Sequence, residues 1–160
     1  MKLDHVAYRV ANKDKAAEFI CNAFYYEIVD TFKIIFDDES TAQCYVLSPL
    51  DPDAPEIFIS DGTPGSIVDR WVKERGGVGG IHHLAFHVED IHETMRLWIE
   101  EGLAEFTTEA PISNSNNLTQ VFTKPHPLTG VIYEFITRGE DNKGFNVDSV
   151  RDLMESTDGL

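Results

Sequence analysis

The chain has 160 residues, a hydrophobic fraction of 42% and a formal net charge of −15 at pH 7. Such a length suits one compact domain or two small half-domains sharing a core. The acidic balance argues against a nucleic-acid partner and against an anionic membrane surface, and no apolar run approaches the roughly 20 residues of a membrane helix.

Residues 2–10 alternate and read as a strand. Asn12-Lys13-Asp14 starts a helix whose apolar stripe is Ala16, Ala17, Phe19, Ile20, Ala23 and Phe24. Strands are expected at Glu27–Phe36, Ala42–Leu47 and Glu56–Ser60, the first two separated by an acidic turn. Ile67, Val68, Trp71 and Val72 stripe a short helix, which the glycines from Gly76 to Gly80 end. The order then replays: a strand at Gly80–Val88, and a helix at Asp90–Glu101 with Ile91, Met95, Trp98 and Ile99 inward. A short strand is expected at Ala104–Thr107, a polar loop at Pro111–Asn117, and strands at Leu118–Thr123 and Val131–Thr137. A tail helix from Val147 to Met154 points Val147, Val150, Leu153 and Met154 inward.

The replay is an internal repeat. Leu3-Asp4-His5-Val6-Ala7-Tyr8-Arg9-Val10 matches Ile81-His82-His83-Leu84-Ala85-Phe86-His87-Val88, 78 residues later. The expected fold is therefore α+β, with two paired βαβββ modules forming curved sheets around a metal cleft. Residues 1–62 make the first module and 63–79 a linker with the short helix. Residues 80–138 make the second module and 139–160 the tail helix. Cys21 and Cys44 are too few for a disulfide framework and read as buried free thiols of a cytoplasmic protein. The first residues enter a strand at once, without the shape of a signal peptide.

Side chains alternate along a strand, so Val6, Tyr8 and Val10 share the helix-packing face, as do Leu84, Phe86 and Val88. His5 and His83 then point to the opposite, concave face, each with a small alanine as next neighbour. Ile132, Glu134 and Ile136 share a face of the last strand, and a carboxylate there is costly unless paired or bound to a metal. Two histidines and one carboxylate form a set that suits non-haem Fe(II), and also Mn, Co, Ni or Zn. His82, His92 and His126 read as structural; His87, further along the cleft side, reads either as structural or as a substrate-binding residue lining the pocket. Phe32, Phe36, Tyr45 and Phe58 are candidates for an aromatic cleft lining, with ordinary core packing as the alternative.

These residues resemble the vicinal-oxygen-chelate superfamily, whose members are built from paired βαβββ modules with metal ligands on the first and last strands. Gly80-Ile81-His82-His83-Leu84-Ala85-Phe86, Leu118-Thr119-Gln120-Val121-Phe122-Thr123-Lys124-Pro125 and Tyr133-Glu134-Phe135-Ile136-Thr137-Arg138 resemble the catalytic half of the 4-hydroxyphenylpyruvate dioxygenases. So does the tail Lys143-Gly144-Phe145 with its helix. The resemblance implies a non-haem Fe(II) dioxygenase of a 2-oxo acid or related small anionic substrate. It implies iron ligands His5, His83 and Glu134, with Gln120 orienting the substrate and Phe145 closing over it.

The run through Trp71 and the paired histidines, and His126-Pro127-Leu128-Thr129-Gly130-Val131, resemble the methylmalonyl-CoA epimerases. That resemblance implies a metal-held enediolate, with Glu134 or hydroxide moving the proton. The epimerase's fourth ligand falls at Ile57 and its catalytic glutamate at Cys44. Glu56 should point to the other face unless a bulge redirects it. A glyoxalase-like lyase and a non-catalytic binding protein are further alternatives. A homodimer is expected, since such modules can pair within one chain or between chains.

Overall fold

Strand β1 (Lys2–Val10) runs into helix α1 (Lys13–Phe24), which Asn12 caps by accepting the Lys15 N–H. Strands β2 (Tyr26–Ile35), β3 (Thr41–Pro49) and β4 (Glu56–Gly62) follow, then helix α2 (Ile67–Glu74). The second passage is β5 (Gly79–His87), α3 (Ile91–Glu100), β6 (Ile112–Ser113), β7 (Leu118–Phe122) and β8 (Ile132–Arg138), closed by α4 (Val147–Ser156). The computed structural model describes residues 1–113, 117–139 and 144–160; Lys143 and part of the expected Pro111–Asn117 loop lie outside them.

The architecture is mixed α+β, as expected, with strands in the order β2-β3-β4-β1 in the first passage and β5-β8-β7-β6 in the second. Each passage has one local plan. β1 lies parallel to β4, and β5 parallel to β8, while the remaining pairs of each passage are antiparallel. The chain divides into two compact units. One comprises Met1–Asp4, His83–Asp158 and Leu160, the other His5–His82 and Gly159, so the dividing line cuts β1 between Asp4 and His5.

In the unit from His5 to His82, Ala17 and Ile20 of α1 pack on Leu47, Ile57 and Ile59, with Tyr8, Val10 and Tyr45 beside them. In the other unit, Ile91 and Met95 pack on Val88, Val121 and Phe135, with Phe86 and Trp98 beside them. The faces inferred from alternation for β1 and β5 are therefore the ones that meet the helices. The α2 stripe is buried throughout.

Several expectations are corrected. Phe19 and Phe24 are exposed and stack edge-on against each other, 5.9 Å apart. Phe19 sits about 200° round the helix from Ala17, on the far side from the sheet. Ile99 is exposed one residue past Trp98, and Val147 is exposed in the first turn of α4. The strand expected at Ala104–Thr107 reduces to one bridge, Phe106 to Thr123, and the edge partner of β7 is Ile112–Ser113 instead. Tyr45 faces α1, where its hydroxyl donates to Asp14, and so leaves the aromatic lining.

Gly79 has φ +89°, and a Cβ there would lie 2.0 Å from the Arg9 carbonyl oxygen. Gly76 has φ +73° with nothing within 4 Å of such a Cβ. Gly79→Ala should lower stability by on the order of 3 kcal/mol, from backbone strain plus collision, and Gly76→Ala by about 1 kcal/mol from strain alone. Urea midpoints at constant slope measure both, and equal losses would show that the close approach to β1 costs nothing.

Candidate metal centre

The site is assembled from strands, whose alternation lifts one residue in two off the helix-packing face. On β8 the register places Glu134 level with Ala85 of β5, and Ile132 level with His83. On β7, Phe122 is level with Glu134 and Gln120 with Ile136. Gln120, Phe122, His83 and Glu134 therefore stand on one face, opposite Val121 and Phe135, which face α3.

Glu134 is 1% exposed. Its Oε1 accepts a hydrogen bond of 2.6 Å from Nε2 of Gln120, itself 3% exposed. Its Oε2 lies 3.1 Å from His83 Nε2. The Phe122 ring sits 4.9 Å from the His83 imidazole and walls one side of it. His5, 1% exposed on β1, is the residue at which the dividing line falls. Within the unit that holds β5 and β8, His83 and Glu134 thus bring an imidazole nitrogen and a buried carboxylate oxygen side by side. Two imidazoles and a carboxylate are a donor set for a borderline divalent cation.

Gln120, which the resemblance implied as a substrate contact, donates its amide N–H to the carboxylate of Glu134. Glu56 is a second correction. It is paired in register with His5 and shares its face, whereas Ile57 turns toward α1. No bulge is involved, because Glu56, Phe58 and Ser60 follow in step with His5, Ala7 and Arg9. Phe58 stands on this face with Phe32, ring centroids 5.7 Å apart. Cys44 is level with Ser60 and almost fully buried, and burial pushes its thiol well above the usual range.

The remaining candidates separate by environment. His87 lies half-buried on the His83 face, level with Ile136. His82 is buried edge-on against Trp71, His92 is exposed on α3, and His126 accepts the Leu128 N–H and donates to the Leu103 carbonyl. Phe145 lies under the Arg138 guanidinium, 5.4 Å from its carbon, and Arg138 also donates to the Gly144 carbonyl. Arg138 further forms a largely buried ion pair with Asp4, at 2.9 Å. Sequence reading missed this pair, although an aspartate inside an apolar strand was its visible sign. Leu153 of α4 packs on Phe122 and Ile132, so the tail helix covers part of the face that carries Gln120 and Glu134.

A family model described as the Glyoxalase/Bleomycin resistance protein/Dioxygenase superfamily matches residues 4–121. Among solved structures, the methylmalonyl-CoA epimerase of Mycobacterium tuberculosis aligns with a TM-score of 0.66 at 23% identity, covering 86% of this chain and 88% of its own. A hypothetical protein of Bacillus halodurans C-125 aligns with a TM-score of 0.68 at 20% identity, covering 89% and 98%. The Streptomyces coelicolor methylmalonyl-CoA epimerase, in complex with 2-nitronate-propionyl-CoA, gives 0.63 at 21%, covering 90% and 99%. No curated protein matches the chain. These structures share its fold.

The buried thiol gives a pH prediction. Cys44 stays protonated in the fold where an unfolded chain ionises, so its contribution to stability is present below about pH 9 and lost as pH rises beyond it. Urea denaturation between pH 8 and 10 should show a falling stability, with a shallower fall in Cys44→Ala. An unchanged slope in that variant would place the titration elsewhere.

Proposed function

This chain belongs to the glyoxalase/bleomycin resistance protein/dioxygenase superfamily, and on that premise we propose that it is a metal-dependent epimerase or isomerase. Its substrate would be a small anion with a carbonyl beside an acidic C–H bond. The observation that carries this reading is the almost fully buried Glu134 carboxylate with His83 Nε2 3.1 Å from its Oε2; we assign His5, which the repeat matches to His83, as the third ligand. The epimerases among its structural neighbours favour enolate chemistry over oxygenation.

His5, His83 and Glu134 would hold the cation, and Zn, Co, Mn, Ni or Fe(II) all accept such donors. A divalent ion there supplies a Lewis acid that acidifies the C–H bond next to a bound carbonyl. Two neutral imidazoles and one carboxylate leave a net charge of about +1 with the ion, which attracts an anionic substrate despite the acidic surface. The small side chains of Ala7 and Ala85 leave room beside the histidines, and His87 and Phe58 would touch the substrate body. Epimerisation takes a proton from one face of a carbon and returns one to the other, so it calls for a basic group near the cation. We assign that role to Glu56, level with His5. Cys44 is unsuited to it, since burial keeps the thiol protonated. A homodimer in the cytoplasm, with no nucleic-acid or membrane partner, belongs to the same reading. Among the described residues no helix is long and apolar enough to cross a membrane.

A second reading rests on the number of ligands. Three protein ligands, His5, His83 and Glu134, would leave open positions on a six-coordinate cation for a 2-oxo acid and O2.

Protein purified without chelators should hold about one divalent metal per chain, and Glu134→Ala should release it. Incubated in D2O with a methylmalonyl thioester, the loaded protein should exchange the α-hydrogen, followed by NMR. Glu56→Gln should slow exchange by about 10²–10⁴-fold with metal content kept. No exchange, together with O2 uptake on an aromatic 2-oxo acid, would transfer the site to the oxygenase reading.

A further inference from the structure

We infer that Gln120 is a positioning residue for the metal-binding carboxylate, and not a contact for substrate; this rests on the metal-site reading above. His83, Gln120 and Glu134 all lie within one unit of the chain, on β5, β7 and β8. Glu134 is a carboxylate with two oxygens and almost no contact with water. One oxygen accepts the Gln120 amide N–H at 2.6 Å, and the other points to His83 at 3.1 Å. The amide thus divides the labour between the oxygens. Oε1 is engaged by a neutral donor, which leaves the full negative charge in place, and Oε2 is presented on the side of the imidazole.

A carboxylate on a flexible Glu side chain could otherwise rotate about its last bond, since that torsion has broad, two-fold wells. It could then offer either oxygen or both. The Gln120 bond fixes the torsion, so the cation meets one oxygen in one direction. Partners of this kind behind a ligand are typically worth about 10–100-fold in metal affinity. The strands make the hold stiff. β7 and β8 pair antiparallel throughout Leu118–Phe122, and Gln120 lies diagonally across the ladder from Glu134, which is directly level with Phe122. A diagonal neighbour is within reach of a long side chain. Asparagine would be a methylene too short, and leucine or methionine could fill the space but not donate.

The test uses Co(II) as the probe, titrated into metal-free wild type, Gln120→Met and Gln120→Asn and followed by calorimetry and visible absorption. The expected result is Co(II) binding weakened about 10–100-fold in both variants, with an altered d–d spectrum. The metal-free midpoint should fall in Gln120→Met, which leaves a buried carboxylate oxygen without its donor, so affinity and spectrum are read below each variant's own melting transition. A purely packing role would lower the midpoint but leave affinity and spectrum of the folded protein alone. If Gln120→Met does not fold, Gln120→Asn, which keeps a polar amide, carries the comparison. Variants that bind Co(II) like wild type but raise KM for substrate would overturn the proposal and return Gln120 to the substrate. Wild type that takes up no Co(II) would overturn the metal-site reading itself, a result distinct from failure of the Gln120 assignment.

Discussion

A carboxylate has been placed where strand packing wants an apolar side chain, and the unit around β8 is arranged to accommodate it. Glu134 stands between Ile132 and Ile136, both buried, and is itself 1% exposed. Left alone, an ionised group there would lose its hydration with nothing in return, or else take up a proton. Two neighbours answer that demand, one from each adjoining strand. Gln120 on β7 supplies an N–H, and His83 on β5 brings a ring nitrogen to the second oxygen. Neither is cationic by obligation, unlike Lys or Arg. A fixed guanidinium would have cancelled the charge and closed the site to a metal, whereas an imidazole and an amide leave the charge available.

The same need for partners explains where the rest of the charge in the strands has gone. Arg138, at the end of β8, is satisfied by Asp4, by the Gly144 carbonyl and by the ring of Phe145. It therefore ties the entry to α4 to the last strand. Leu153 of that helix lies on Phe122, the residue that also walls His83. Phe145 takes part in this fixture as the aromatic partner of a cation, a contact of modest strength that gains from partial burial.

Much of the fold was legible because period-two and period-3.6 patterns survive in the sequence. The repeat located both histidines, and alternation gave the correct face for His5, His83 and Glu134. Capping residues such as Asn12 and Asp90 marked helix starts where the backbone uses them. What remained illegible was mostly register. Whether Glu56 or Ile57 is level with His5 depends on how β4 slides along β1, and a slip of one residue exchanges the faces of every side chain. The partner of Gln120 depended equally on the pairing of β7 with β8, since sequence can show that a buried glutamine needs an acceptor but not which acceptor is two residues away across a ladder. The exposed Phe19, Phe24 and Ile99 were misjudged for another reason. A helix lying on a sheet buries a narrow stripe, and apolar residues outside it are not forbidden from water.

Register also shows how the two passages differ in a way their likeness hides. In the first, the strand parallel to the histidine strand sets Glu56 level with His5 and Phe58 level with Ala7. In the second it sets Ile132 level with His83 and Glu134 level with Ala85. The acidic and apolar positions have been exchanged on an unchanged scaffold. A faithful repeat would have put carboxylates at matching heights beside the two histidines, and so duplicated one environment. The exchange gives each imidazole a different neighbour: a carboxylate level with it in one passage, and an isoleucine with the acid one step beyond in the other. Two histidines held alike in their own strand pairs are therefore flanked unlike. Sequence similarity finds the histidines because they are what the passages share; the acids differ in height along their strands, and only pairing reveals it.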